Sequence, residues 1–320
     1  MNLATRLKRF QHKNTTGLAV LGGIILVCIL FSMTTKTFST SMNILRLFRQ
    51  MVIMIVISTG MTFVVATGEM DISVGAIYNL VVNVMALLIQ AGLNPWLSAV
   101  FGLVLGAVCG MINGSIGVIL GLPMIIITLG LSYVYKGITL ILTDGYSVGN
   151  LGKSTFFNFG TGTMGKVNNT VFVAIIVVII AAWWLKNSVI CRDFLAMGSN
   201  INASRYSGVP IRKRKIQNEA LAGLFAGLAG VLSLSFMASA TSEGGSGYEM
   251  LAITAVVAGG GSIDGGSASI WGTLGGIVLI MTIKNGLMLL GINSAYQEAT
   301  EGLLLVLAIA LQMLTRKKNR

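Results

Sequence analysis

Charge is scarce in this chain: Asp, Glu, Lys and Arg make up 10% of 320 residues, against roughly a quarter in an ordinary soluble domain. So few charges cannot cover the surface of a soluble protein of this length, and hydrophobic residues supply 54%. The chain reads as a membrane protein. Histidine occurs once, at His12 in a basic arm, which excludes a histidine-built zinc site or a Ser-His-Asp triad. Cysteine occurs three times. Cys28 and Cys109 lie in apolar runs and Cys191 at the edge of a basic loop. No pair has the spacing of a metal site or a disulfide framework, so they read as packing residues.

Acidic residues are few (10, against 22 basic), giving a formal charge of +12. That excess resembles a nucleic-acid signal but follows topology instead. It gathers in the N-terminal arm (Arg6, Lys8, Arg9, Lys13), one central loop and the tail (Arg316, Lys317, Lys318, Arg320). Gly152-Lys153-Ser154-Thr155 is spelled like a phosphate loop, but Ser147 stands where the earlier glycine is required and no strand precedes it. Gly160-Thr161-Gly162-Thr163-Met164-Gly165 is spelled like a dinucleotide fingerprint but opens no βαβ unit. No catalytic constellation remains. The chain is read as a non-enzyme without cofactor or metal.

What is abundant is apolar sequence. Ten runs approach the roughly 20 residues that cross a bilayer: 17–33, 51–67, 72–93, 96–120, 123–142, 170–185, 220–238, 250–259, 269–290 and 295–314. The expectation is an all-α polytopic protein of about ten transmembrane helices forming one domain over 1–320. The first run has the outline of a signal peptide without a cleavage site, so it reads as an uncleaved helix. The eighth is short and glycine-flanked, consistent with a broken or re-entrant helix. Ten crossings place both termini and the central basic loop in the cytoplasm, where basic loops stay. Arg46 and Arg49 then fall on the wrong side, which predicts an interfacial helix ahead of the second span.

Order recurs along the chain. Gly68-Glu69-Met70-Asp71-Ile72 resembles Tyr248-Glu249-Met250-Leu251-Ala252, and Asn113-Gly114 resembles Asn285-Gly286, at offsets of 180 and 172 residues. An offset of five crossings inverts the second copy, a common transporter architecture. The boundaries read as a cytoplasmic arm over 1–16, a first repeat over about 44–142, a loop over 187–215 and a second repeat over about 216–314. Gly102, Gly106, Gly110 and Gly114 make a stripe on one helix face, echoed by Gly223 with Gly227 and Gly272 with Gly276. Such stripes allow close helix packing; a pore wall is the competing reading.

The segment 196–215 is the strongest signal. Lys186, Arg192, Arg205, Arg212, Lys213, Arg214 and Lys215 crowd the loop, whose interior is small and helix-capable. It suits a docking surface, with Gly198, Asn200, Ala203, Ser207, Gly208 and Val209 as its candidate residues. Ionisable groups at membrane depth are costly and therefore functional candidates: Glu69, Asp71, Lys136, Lys284, Glu298 and Glu301. Asp71 and Ser73 can instead cap the third span, and the lysines can snorkel. Glu69 and Glu249 occupy equivalent repeat positions, where pairing competes with solute contact. Asn79, Asn83, Asn113 and Asn285 suit either a polar pathway or interhelical hydrogen bonding. The pathway candidates are Glu69, Asp71, Ser73, Asn79, Asn113, Glu249 and Asn285. No span carries a buried acid–base ladder of the kind a proton-coupled carrier uses.

With these residues on view, the chain resembles the membrane permeases of ribose-type ABC sugar importers, within the group that includes branched-chain amino-acid permeases. The matching pieces are Thr67-Gly68-Glu69-Met70-Asp71-Ile72-Ser73-Val74-Gly75, Asn113-Gly114, Thr128-Leu129-Gly130, Ala196-Met197-Gly198-Ser199-Asn200 and Ser207-Gly208-Val209. Gly247-Tyr248-Glu249, Trp271-Gly272-Thr273 and Asn285-Gly286-Leu287 continue the set, which covers 51–314. Glu69-Met70, Ala252 and Asn202-Ala203-Ser204 depart from the family's commoner residues.

The resemblance implies a type II importer-like permease of the inner membrane. It would dimerise with itself or a sister subunit and carry no ATP of its own. Two cytoplasmic ABC ATPases, or one fused tandem ATPase, would drive it through the 198–209 loop, and an external binding protein would deliver a sugar. Alternating access is the expected mechanism. The alternative is an ion-coupled secondary transporter of a small polar solute.

Overall fold

Several helices in this chain begin at side-chain caps. Thr40 accepts the Asn43 amide ahead of α2 (Ser41–Ala66), Asn94 the Trp96 amide ahead of α4 (Pro95–Leu120), and Ser269 the Gly272 amide ahead of α12 (Ile270–Leu289). Each cap satisfies a backbone donor that a helix start leaves free. Gly121, at φ +65°, ends α4 in the left-handed conformation glycine adopts without strain. The computed structural model describes the backbone of residues 3–318 and the side chains of 17–310 and Met313. His12 and the charged side chains of the arm and tail lie outside the described residues.

The remaining helices are α1 (Leu3–Thr34), α3 (Val74–Gln90), α5 (Met124–Thr143), α6 (Thr155–Thr161), α7 (Asn169–Asn187), α8 (Val189–Ser199), α9 (Ile201–Tyr206), α10 (Ile211–Met237), α11 (Tyr248–Ala258) and α13 (Ser294–Lys318). Every predicted apolar run coincides with a helix. Among the described residues seven helices, α1, α2, α4, α5, α7, α10 and α12, are long and apolar enough to cross a membrane, while α3 and α11 are shorter. A two-residue hairpin of β1 (Thr163–Met164) and β2 (Val167–Asn168) departs from the all-α expectation. It pairs Thr163 with Asn168 and Met164 with Val167. It absorbs the end of the dinucleotide-like run into a tight turn at Gly165, φ +66°.

The expected interfacial helix at Arg46 and Arg49 is absent: α2 runs unbroken through both. The Arg49 guanidinium lies 3.9 Å from the Phe236 ring centroid, so a cation–π contact holds the charge against α10. Lys136 stands inside α5. Lys284 pairs with Glu301 of α13 at 2.6 Å.

The core is formed by α2, α3, α10 and α11, with α1 on the periphery. The glycine stripe of α4 lies against α10 at backbone distance. A Cβ on Gly106 would meet Gly227 Cα at 2.9 Å, and one on Gly223 would meet Gly110 Cα at 3.0 Å. The stripe is a packing seam. At one end of the molecule, Gln90 Nε2 donates to Gly149 O (2.8 Å), Ser242 Oγ to Gly145 O (2.9 Å), and Val148 and Ala240 exchange backbone bonds. At the other end, α8 packs beneath the end of α2.

Candidate functional site

Two regions concentrate the polar residues. The first is the break between α2 and α3, which turns at Gly68 (φ +80°). Asp71 Oδ1 accepts the Ser73 amide and the Ser73 hydroxyl, both at 2.6 Å. Ser73 precedes α3 yet makes no side-chain cap bond to it; its hydroxyl accepts Asn113 Nδ2 at 2.7 Å instead. Tyr135 OH donates to Asn113 Oδ1 at 2.7 Å. A chain of bonds therefore runs from α5 through α4 to the break. Ile72 N donates to Thr128 Oγ1 at 3.1 Å, placing a second α5 side chain under the same loop.

From the other side α10 contributes Lys215, Asn218 and Glu219. Lys215 forms an ion pair with Glu69, and Asn218 Nδ2 donates to Thr67 Oγ1 at 3.2 Å. Asn218 and Glu219 are fully buried. Sequence reading missed both, along with Tyr135, because the span beginning at 220 excluded the first two and Tyr135 sat in an apolar run. The available signal was a carboxylate directly abutting an apolar helix, four residues after Lys215.

The breaks before α3 and α11 meet inside the protein. The Tyr78 and Tyr248 rings lie 5.2 Å apart, and a Cβ on Gly75 would collide with Glu249 Oε2 and Gly245 O. Glu249 Oε1 accepts the Gly247 amide at 3.3 Å at the start of α11. Asn79 Nδ2 donates to Ser242 O (2.7 Å), and Asn83 Nδ2 to Thr241 O (3.0 Å), so these asparagines hold the α10–α11 loop. Asn285 pairs with Asn43 on α2. Of the seven pathway candidates, Glu69, Asp71, Ser73 and Asn113 come together; Asn79 and Glu249 join the second break, and Asn285 lies apart.

The second region is the basic segment, which folds into α8 and α9. Cys191, Phe194 and Met197 bury the inner face of α8, two of them against Phe63, Leu185 and Ile270. Burial pushes the Cys191 thiol up to about 11. Gly198 is an anchor and not open surface: any side chain there would strike Ala66 O and the Gly265–Gly266 backbone. Asn200 caps α9 through the Ala203 amide at 2.9 Å. Ala203, Ser207 and Gly208 are exposed, Val209 is half-buried, and Tyr206 is 91% exposed. Arg214 is turned inward on Asp193 at 2.7 Å and Lys215 on Glu69, which leaves Lys186, Arg192, Arg205, Arg212 and Lys213 as the exposed cations.

Residues 43–309 match the family described as branched-chain amino acid transport system, permease component. The chain belongs to this permease family. It is 37% identical to the ribose import permease protein of Bacillus subtilis (strain 168) over 298 residues, covering 93% of this chain and 92% of that one. It is 35% identical to the D-allose transport system permease protein of Escherichia coli (strain K12), over 92% of this chain and 90% of that one. The ribose import permease protein of the same Escherichia coli strain is 33% identical, over 95% and 94%. No solved structure matches the chain. This permease therefore has relatives over more than nine-tenths of its length that are import or transport-system permeases, and its apolar helices make it an integral membrane protein.

Proposed function

We propose that this permease is the membrane-spanning subunit of an ATP-driven importer that moves a sugar or sugar-like solute across the inner membrane. The observation that carries the reading is the full-length similarity to ribose and allose permeases. Partner subunits hydrolyse the ATP: two cytoplasmic ABC ATPases or one fused tandem. An external binding protein delivers the solute, and a second copy or a sister permease completes the pathway. Ten crossings, both termini in the cytoplasm and an inverted repeat complete this reading. The matching breaks ahead of α3 and α11 support the repeat, since discontinuous helices at repeat-related positions mark solute sites in transporters.

The ATPases dock on α9 and the turn after it. Tyr206, Ala203, Ser207 and Gly208 face outward there among exposed cations, while Gly198 and Asn200 fix the segment from behind. Closure of the ATPases moves α8 and α9, and α10 passes that motion to the break before α3 through Lys215 and Glu69. The solute then sees one side or the other according to which state the ATPases favour.

The test is co-purification from native membranes in mild detergent, with ATPase activity assayed on the product. Ser207→Arg is the variant of choice, because Gly208 sits at φ +82° and a side chain there would strain the backbone. Recovery of an ATPase with the wild type, and its loss from a folded Ser207→Arg permease, supports the importer. Recovery of the permease alone, with transport abolished by a protonophore and untouched by vanadate, replaces it with an ion-coupled carrier.

A further inference from the structure

A carboxylate offers only acceptors, so two of them in contact need a proton between them or a cation beside them. Asp71 and Glu219 stand in that relation. Both are 0% exposed. Asp71 reaches α4 through Ser73 and Asn113, and Glu219 packs against the next α4 residue, Gly114, which brings the two carboxyl groups together at one point of the seam. Asp71 commits Oδ1 to Ser73. Its Oδ2 and both carboxyl oxygens of Glu219 meet no donor among the described residues.

The surroundings do not supply the missing positive charge. Glu69 and Lys215 face Glu219 from the loop and from one turn earlier on α10, but the Lys215 ammonium is paired with Glu69. On α5, Tyr135 faces Asp71 while its hydroxyl lies 2.7 Å from Asn113 Oδ1 and 3.1 Å from the Cys109 carbonyl of α4. Glu249 on α11 stands within electrostatic range of Asp71 and of Lys136 of α5. Opposite Glu219, α4 packs Gly110 and Gly114. A Cβ on Gly114 would lie 2.7 Å from Ile216 Cα and 3.2 Å from Glu219 Cβ, so backbone seals the pair from water. Among the described residues no three acidic, histidine or cysteine side chains converge as a metal site. With Glu69 and Glu249 the pair makes four carboxyls against two lysines, Lys215 and Lys136, and two bare like charges in contact without water are strongly repulsive.

We propose that Asp71 and Glu219 share one proton, forming a buried proton-binding site that fastens the base of α10 to the loop before α3. Thr67–Asn218, Glu69–Lys215 and Asp71–Glu219 are parallel ties across one seam. Two of them are ordinary polar contacts; the third holds only while the proton is bound. Conformations that open the seam bind that proton more weakly, so proton binding and seam opening are linked. The site is independent of the solute and of the energy source.

The experiment is infrared spectroscopy of the purified full-length permease in lipid nanodiscs at neutral pH. The wild type shows the carbonyl band of a protonated carboxylic acid that shifts in deuterium oxide. Glu219→Gln and Asp71→Asn each lose it, since the new amide donates to the remaining carboxylate, while Glu69→Gln keeps it. Absence of the band in the wild type, or its survival in either amide variant, overturns the proposal. Should an amide variant not fold, wild type grown on isotope-labelled glutamate or aspartate decides. A band moved by one of those labels supports the site, and a band moved by neither overturns it. The readout requires no transport, so it stands or falls apart from the importer reading.

Discussion

Asn43 and Asn285 exchange side-chain hydrogen bonds across 242 residues of sequence, Nδ2 of each to Oδ1 of the other at 2.9 and 3.1 Å. Both are buried, and Asn43 Nδ2 also donates to Phe38 O at 2.9 Å. The reciprocal amide pair ties the start of α2 to the last turns of α12. Glycine at 286 lets Phe31 of α1 pack against the same place.

Asn285→Ala leaves the buried Asn43 Oδ1 without its donor, while Asn43 Nδ2 keeps Phe38 O, and is expected to cost about 1–3 kcal/mol of stability. The Asn43→Ala and Asn285→Ala double variant costs less than the two singles together, because the second truncation removes a group already unpartnered. Thermal unfolding of the detergent-purified protein checks both. An unchanged melting temperature in Asn285→Ala, with altered solute uptake, would place this residue on the pathway instead.

The α4–α10 seam tolerates no added carbon. Gly106→Ala and Gly223→Ala force backbone apart and are expected to destabilise by about 1–3 kcal/mol each. Gly130→Ala, with nothing within 4 Å of its built Cβ, is neutral or slightly stabilising through helix propensity. The yield of monodisperse protein and its melting temperature separate the two classes.

Tyr206 is the most exposed aromatic side chain of the basic segment and makes no ring contact among those described. Tyr206→Ala leaves stability within about 0.5 kcal/mol, as for other surface changes. The same variant loses an ATPase partner to the extent that α9 is the docking surface. Melting temperature and co-purification, read on one sample, check the two halves of that statement.

Cys191 is fully buried, and its thiol is raised from 9.0 to about 11 by that burial. The thiolate is the reactive form, so maleimide labelling of the folded permease at neutral pH is blocked at this position and becomes complete on denaturation. The fold favours the neutral thiol. Its contribution to stability is therefore full below 9.0 and declines as pH rises toward about 11. Rapid labelling of the native protein at neutral pH would show that α8 lifts from its bed.

Hydropathy located the helices because burial in lipid depends on local composition, and a run such as 96–120 carries that information within itself. Runs of turn and cap residues, Asn94-Pro95 and Gly121 among them, likewise act on their neighbours. The family was legible for the same reason: its signature pieces are short and contiguous. The continuity of α2 through Arg49 was not, since the Phe236 ring that receives the charge lies on another helix.

The polar groups divide the same way. Sequence alone determined that Glu69, Asp71 and Asn113 are costly at their depth, because their chemistry and their apolar flanks are local facts. Only the tertiary structure decided that Asp71 faces Glu219, that Asn285 pairs with Asn43 and that Gly198 is an anchor. Each of those depends on a partner many residues away. Hydrogen bonds and like-charge contacts act over a few ångströms, and the folded backbone alone sets which groups come that close.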